Sequence, residues 1–164
     1  MVAALNKPKV YIEYSTISYL TARPTEEPIR KAKQILTRQW WEYREDFELY
    51  ISQTVVDEVG LGDSEAAELR LQAIQGIPVL TLNNEVVRLS ETFLTSGAVP
   101  EHAVADARHI AFAAVSGMDF LITWNQKHIA AAKKRRQIEA VIEGFELKPP
   151  KIFTPEQHII FEET

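Results

Sequence analysis

An α/β fold with a largely parallel sheet is the class this sequence predicts, and two observations predict it. Short apolar runs (KVYI, FELYI, PVLTL, FLIT and KIF) recur from one end of the chain to the other. Between them lie longer stretches whose apolar residues repeat at helical spacing, the alternation expected of strand-helix-strand crossovers. The first run, Lys9–Ile12, reads as a strand, and Ser15 just beyond Glu13 is suited to cap a following helix. Pro24 and Pro28 break the chain before a helix over 27–43, where Ile29, Ala32, Ile35, Leu36 and Trp40 form an apolar stripe. Residues 47–51 are the second strand.

Two helices follow, over 54–60 and 64–75, separated by GLGD, and Gly76 ends the second. Residues 78–82 are extended. A helix over 84–95 carries Val86, Val87, Leu89, Phe93 and Leu94, and the segment 97–100 stops it. A strongly apolar helix over 104–116 closes at Gly117, and 120–123 is a buried strand. A basic helix is expected over 129–142, and Lys151–Phe153 is a last short strand before TPEQ. No repeat, low-complexity tract or linker interrupts this order, so one domain over 1–164 is expected.

Composition narrows the function classes. The 164 residues suffice for a hydrophobic core, and 46% apolar with 25% charged residues is ordinary for a globular chain. No apolar run approaches the roughly 20 residues needed to span a bilayer, and MVAALNKPK lacks the apolar core of a secretory signal. A cytoplasmic location without membrane contact is the expectation. The absence of cysteine excludes disulfides and thiolate metal sites. A net charge of −5 argues against indiscriminate nucleic-acid binding, so such a substrate needs a local basic patch or a bridging cation.

Four residues stand where strands should end or helices begin: Glu13, Glu58, Asp106 and Asn125. Ligands in parallel α/β sheets bind beyond the carboxyl ends of strands, which is where Glu13 and Asn125 fall. Three carboxylates and an amide gathered there offer hard oxygen ligands to Mg²⁺ or Mn²⁺. A cation so held orients a phosphate and activates water, the chemistry of phosphodiester hydrolysis. Each residue also has an ordinary reading. Glu13 suits a helix N-terminus, Glu58 a solvated helix face, Asp106 the first turn of its helix and Asn125 a cap.

The segments VYIEYSTISYL, VVDEV, DARHIAFAAVSGMDFLITWNQKHI and IFTPEQ, in that order, resemble a PIN-domain protein of the VapC toxin-like group. The likeness runs from about Lys9 to Gln157. It implies a three-layer α/β/α sandwich around a mainly parallel sheet, and a Mg²⁺- or Mn²⁺-dependent ribonuclease. It also implies a cognate antitoxin and a homodimer. Glu13, Glu58 and Asp106 match the acidic positions, and Asn125 takes the place of the fourth. Ser15 matches the hydroxyl residue beside the first acid, and Thr123, expected to contact substrate, the one before the fourth position. Glu13 stands where Asp is usual, and Asn125 removes one negative charge. A module that binds RNA or a protein without cutting is therefore the alternative.

Other constellations compete. His102, Asp106 and His109 have spacings that suggest a transition-metal site on one helix face, although Pro100 puts His102 at the helix start. His109 otherwise reads as orienting Asp106 or touching substrate. Lys127 and His128, with the run 133–136, are the strongest basic feature and suit either a phosphate backbone or a solvated face. Arg23 and Arg108 are lesser candidates. Trp40, Trp41 and Tyr43 suggest helix packing or an interface more than base stacking, and Trp124 beside Asn125 suits either substrate contact or packing. Asp119 precedes the strand that Asn125 follows, so roughly 13 Å separates them and Asp119 is no ligand.

Overall fold

The computed structural model describes residues 6–164. Five parallel strands form one sheet: β1 (Lys9–Ile12), β2 (Glu48–Ser52), β3 (Val79–Leu80), β4 (Phe120–Ile122) and β5 (Lys151–Phe153). Their order is β3-β2-β1-β4-β5. Tyr11 pairs with Tyr50 on one side and Leu121 on the other. The chain winds outward from β1 one way and from β4 the other, so the strand order reverses between them. That reversal opens a crevice at the carboxyl ends of these two strands.

Helices flank both faces of the sheet. They are α1 (Tyr14–Thr21), α2 (Pro28–Trp41), α3 (Gln53–Val59), α4 (Ser64–Ala73), α5 (Asn84–Ser96), α6 (Val104–Val115), α7 (Arg135–Gly144) and α8 (Pro155–Glu163). Because both faces are covered, the central strands are apolar without alternation: Val10, Tyr11, Ile12, Leu121 and Ile122 are all buried. The apolar helix α6 is enclosed nearly all round, with Ala107, Ile110, Ala111, Phe112, Ala113 and Ala114 buried. Asp119 locks the opposite end of the sheet. Its Oδ2 accepts the Lys9 amide at 2.8 Å, and its backbone bonds to both Lys9 and Lys151. Its exclusion from the ligand set holds.

Four sequence expectations need correction. Ser15 does not cap α1; Glu13 holds the cap position, and the Ser15 hydroxyl is used on neighbours instead. The basic helix begins at Arg135 rather than 129, because the Ile129 and Ala130 amides both turn back to the Asn125 carbonyl. On α2 the buried face is Gln34, Thr37 and Trp40, while Ile29 and Ile35 are 66% and 47% exposed. The apolar stripe is therefore split, with Trp40 in the core and Ile29 and Ile35 facing outward. Finally, a helix absent from the sequence reading follows the last strand: TPEQ supplies the capping box of α8, with Thr154 and Gln157 bonding each other's backbone.

Helix α8 docks through His158. Trp40 Nε1 donates to His158 Nδ1 at 2.8 Å, and the imidazole packs against Phe47 and Phe120. Its Nε2 is buried and makes no well-aligned hydrogen bond among the described residues, although Glu162 Oε1 lies 3.3 Å away. Burial therefore lowers the His158 pKa from 6.5 to about 4. The unfolded chain takes up this proton near 6.5, whereas the folded one resists until about 4. The His158 contribution is complete above pH 6.5, declines as pH falls through that window and levels off below about 4. Melting curves from pH 7.5 to 4 should show this slope in the native protein and a shallower one in His158→Phe. Equal slopes would remove His158 as the cause.

Candidate active site

Strand β1 ends in Glu13, which is only 4% exposed. Two hydroxyls converge on its Oε1: Ser15 Oγ donates from α1, and Thr123 Oγ1 donates at 2.6 Å from the end of β4. Each hydroxyl is held in turn by a backbone amide. Trp124 N donates to Ser15 Oγ at 2.8 Å, and Asn125 N donates to Thr123 Oγ1 at 2.9 Å. Two chains of polarised hydrogen bonds thus end on one carboxylate oxygen, while Oε2 has no hydrogen bond among the described residues.

The second acid is fixed by a closed circuit. Glu58 Oε1 accepts from His109 Nε2 at 2.7 Å. His109 Nδ1 lies 2.7 Å from the Tyr11 hydroxyl, which lies 2.7 Å from Ser52 Oγ. Ser52 caps α3 by accepting the Val55 amide, and α3 carries Glu58. The circuit ties β1, α3 and α6 together inside the protein, since Tyr11, Ser52 and His109 are buried. Burial, the largest influence on His109, lowers its pKa. The bond to Glu58 and the charges of Glu13, Glu58 and Asp106 outweigh it, and the net shift is upward. Burial chiefly, with Glu13 and Glu58 nearby, raises Tyr11 well above its usual range, so its hydroxyl stays protonated.

Asp106 sits in the first turn of α6, and its Oδ2 meets His128 Nδ1 at 2.8 Å. Asn125 Oδ1 accepts the His128 amide at 3.0 Å, which fixes the turn carrying that imidazole. The fourth position is therefore coupled to the third through His128. The His102 ring lies edge-on to His128, with centroids 5.6 Å apart.

A search of solved structures returns VapC20 of Mycobacterium tuberculosis, a sarcin-ricin loop cleaving toxin. The TM-score is 0.59 at 14% identity, covering 75% of this chain and 95% of VapC20. VapBC2 of Rickettsia felis, bound to a promoter DNA fragment, aligns with TM-score 0.54 at 10% identity, covering 89% of this chain and 98% of that one. The chain has the PIN-domain fold of the VapC toxins. No family model matches its sequence, and no curated protein does either. At these identities the likeness carries the backbone of the PIN fold, so the chemistry must be argued from this chain's own side chains.

Within that PIN fold, Glu13, Glu58 and Asp106 all bear electrostatically on the single imidazole of His109. Thr123 was expected to touch substrate; it is buried, and its hydroxyl is committed to Glu13 and Asn125. His109 was expected to contact substrate or orient Asp106. It is enclosed and holds Glu58, whereas His128 holds Asp106. The proposed shared face of His102, Asp106 and His109 does not form, because His109 turns inward and His102 meets His128. Lys127 is exposed beside Asn125 and makes no ion pair among the described residues. Sequence reasoning missed Tyr11, Ser52 and the role of His128. A hydroxyl inside the apolar run KVYI was the available signal, since a buried tyrosine oxygen needs a partner.

Three carboxylates and an amide are hard oxygen donors, so their chemistry fits Mg²⁺ or Mn²⁺. Among the described residues, however, no three acidic or imidazole side chains stand close enough together to hold a metal ion as they are placed. Glu58 and Asp106 each turn one oxygen to a histidine, leaving the other for a ligand. Removing the Tyr11 hydroxyl should expose how much the circuit matters. Tyr11→Phe leaves His109 Nδ1 unpaired inside the core, at a cost of about 1–3 kcal/mol in urea unfolding. A loss below about 0.5 kcal/mol would mean the circuit is incidental.

Proposed function

We propose that this chain is a divalent-metal-dependent endoribonuclease of the PIN/VapC type, hydrolysing RNA phosphodiester bonds. The observation that carries this reading is charge without a counter-charge. Glu13 is buried, Glu58 meets His109, Asp106 meets His128, and no lysine or arginine pairs with any of the three acids among the described residues. A buried carboxylate with no cation is expensive. An external cation bringing its phosphate ligand resolves that cost.

In this reading Glu13, Glu58 and Asp106 hold the Mg²⁺ or Mn²⁺ ion, with Asn125 at the fourth position. Such an ion supplies charge to the phosphate and acidifies a water. Ser15 and Thr123 fix Glu13, His109 fixes Glu58, and His128 fixes Asp106 until substrate and ion arrive. Lys127, on the exposed turn next to Asn125, meets a backbone phosphate. The role of an antitoxin-controlled toxin is supported by the VapC descriptions of the structural neighbours. A protein partner, antitoxin or second copy, suits the outward apolar residues Ile29 and Ile35 of α2. No helix among the described residues is long and apolar enough to cross a membrane; action in the cytoplasm is part of the same proposal.

Asp106→Asn should retain the fold by circular dichroism. It should lose Mn²⁺ binding in calorimetry and lower RNA cleavage by about a hundredfold or more. Full cleavage in this variant would remove the assignment. The engagement of Asn125 Oδ1 in its own turn favours a second reading, a PIN module that binds without cutting. Asn125→Asp separates the two. Tighter Mn²⁺ binding with gained nuclease activity marks a weakened enzyme, and no Mn²⁺ binding in either form marks the silent module.

A further inference from the structure

We propose a subsite for one unpaired nucleotide, formed by Trp124, Tyr19 and Lys33, beside the candidate active site. It rests on the RNA-cleaving reading above. Trp124 directly precedes Asn125, and its amide holds Ser15, so its position is tied to the Glu13 end of β1. Its indole is fixed as well: Nε1 donates to Thr37 Oγ1 on α2 at 2.7 Å. The polar edge is thus satisfied within the protein, and what the half-buried ring offers outward is π surface.

Tyr19 meets this indole edge-on, with centroids 6.0 Å apart. Lys33 Nζ stands 5.4 Å from the Trp124 ring centre and 5.7 Å from that of Tyr19. No carboxylate pairs with Lys33 among the described residues. Two aromatic rings with one unpaired ammonium provide the elements of single-strand recognition: a stacking platform for a base and a charge for its phosphate. Stacking does not read sequence, so the subsite accepts any unpaired base.

The path continues. Ser15 and Tyr19 lie four residues apart on α1 and share a face, leading from the acids to a cleft of about 340 Å³. Tyr19, Arg23, Arg30 and Gln34 are among its lining residues. Gln34 braces the floor, donating to the Arg23 carbonyl at 2.7 Å and accepting the Thr25 amide. Arg23 and Arg30 add positive charge along the cleft, although Arg23 also meets Glu65 at 3.0 Å. In a chain of net charge −5, Arg23 and Arg30 make the lining of this cleft locally basic.

The test is anisotropy binding of a short fluorescein-labelled single-stranded oligoribonucleotide to the full chain, with and without Mn²⁺. Tyr19→Leu preserves bulk and removes the ring; Lys33→Glu reverses the charge. Each should weaken binding about tenfold, while Lys151→Glu, the same reversal at the opposite end of the sheet, leaves it unchanged. An abasic nucleotide placed in the subsite should cost the wild type affinity and cost Tyr19→Leu little more, because the two losses describe one contact. If the wild type binds and cleaves while both variants match it within twofold, the subsite is wrong and the nuclease reading stands. If the wild type binds no oligonucleotide under either condition, both fall.

Discussion

The hydrogen bond between His109 and Glu58 is the constraint on which the candidate site depends. Glu58 lies on a seven-residue helix, α3, too short to be stable alone. Its direction is set by Ser52 at its start, and its far end is held by Arg70, whose guanidinium donates to the Val59 and Leu61 carbonyls. His109 then fixes the side chain. Because the other imidazole nitrogen meets Tyr11, two residues before Glu13, the first and second acids are held by one buried circuit. With the imidazole neutral, Tyr11 donates to Nδ1 and Ser52 donates to Tyr11. With it protonated, Nδ1 donates to Tyr11, which donates to Ser52. The circuit closes in either state, so changing charge in the mouth of the site need not break the scaffold behind it.

Most of the fold was legible because its strands are buried on both faces and its helices carry their own stop signals. Gly97, at φ 79°, ends α5 where sequence placed a break. What failed had a physical cause in each case. The apolar stripe on α2 was read by period alone, yet Gln34 and Thr37, outside it, are buried because their polar groups have specific partners. Period records which face is apolar, and an outward apolar face is equally periodic. The 129–142 helix was drawn too early because nothing local shows that the Asn125 carbonyl captures two amides.

The acids were legible by position, whereas their partners were not. Glu13 and Asn125 follow strands and Asp106 opens a helix, as their sequence context indicates, whereas Glu58 lies in the last turn of α3. Their tethering by Ser15, Thr123, His109 and His128 depends on contacts across as many as 110 residues. Ser15 shows the difference well. A hydroxyl near a helix start is ordinarily a cap, but here a carboxylate and an amide brought in by β4 compete for it and win.

The lengthened first acid and the missing fourth one belong to a single arrangement. Glu13 reaches one methylene farther than aspartate would, and both hydroxyls that meet it at Oε1 are held by amides of residues 124 and 125. The backbone at the fourth position thus serves the first. Asn125, with its side-chain oxygen fixed on the His128 amide, stiffens that same turn and carries the imidazole to Asp106. A carboxylate at 125 would accept the same amide bond and add a negative charge to a cluster that already carries three acids, and like charges repel when no cation intervenes. Asparagine keeps the turn's geometry without that repulsion. Asn125 thus serves the turn through its hydrogen bond to His128, and in the proposed metal-dependent reading a cation would be held by three acids rather than four.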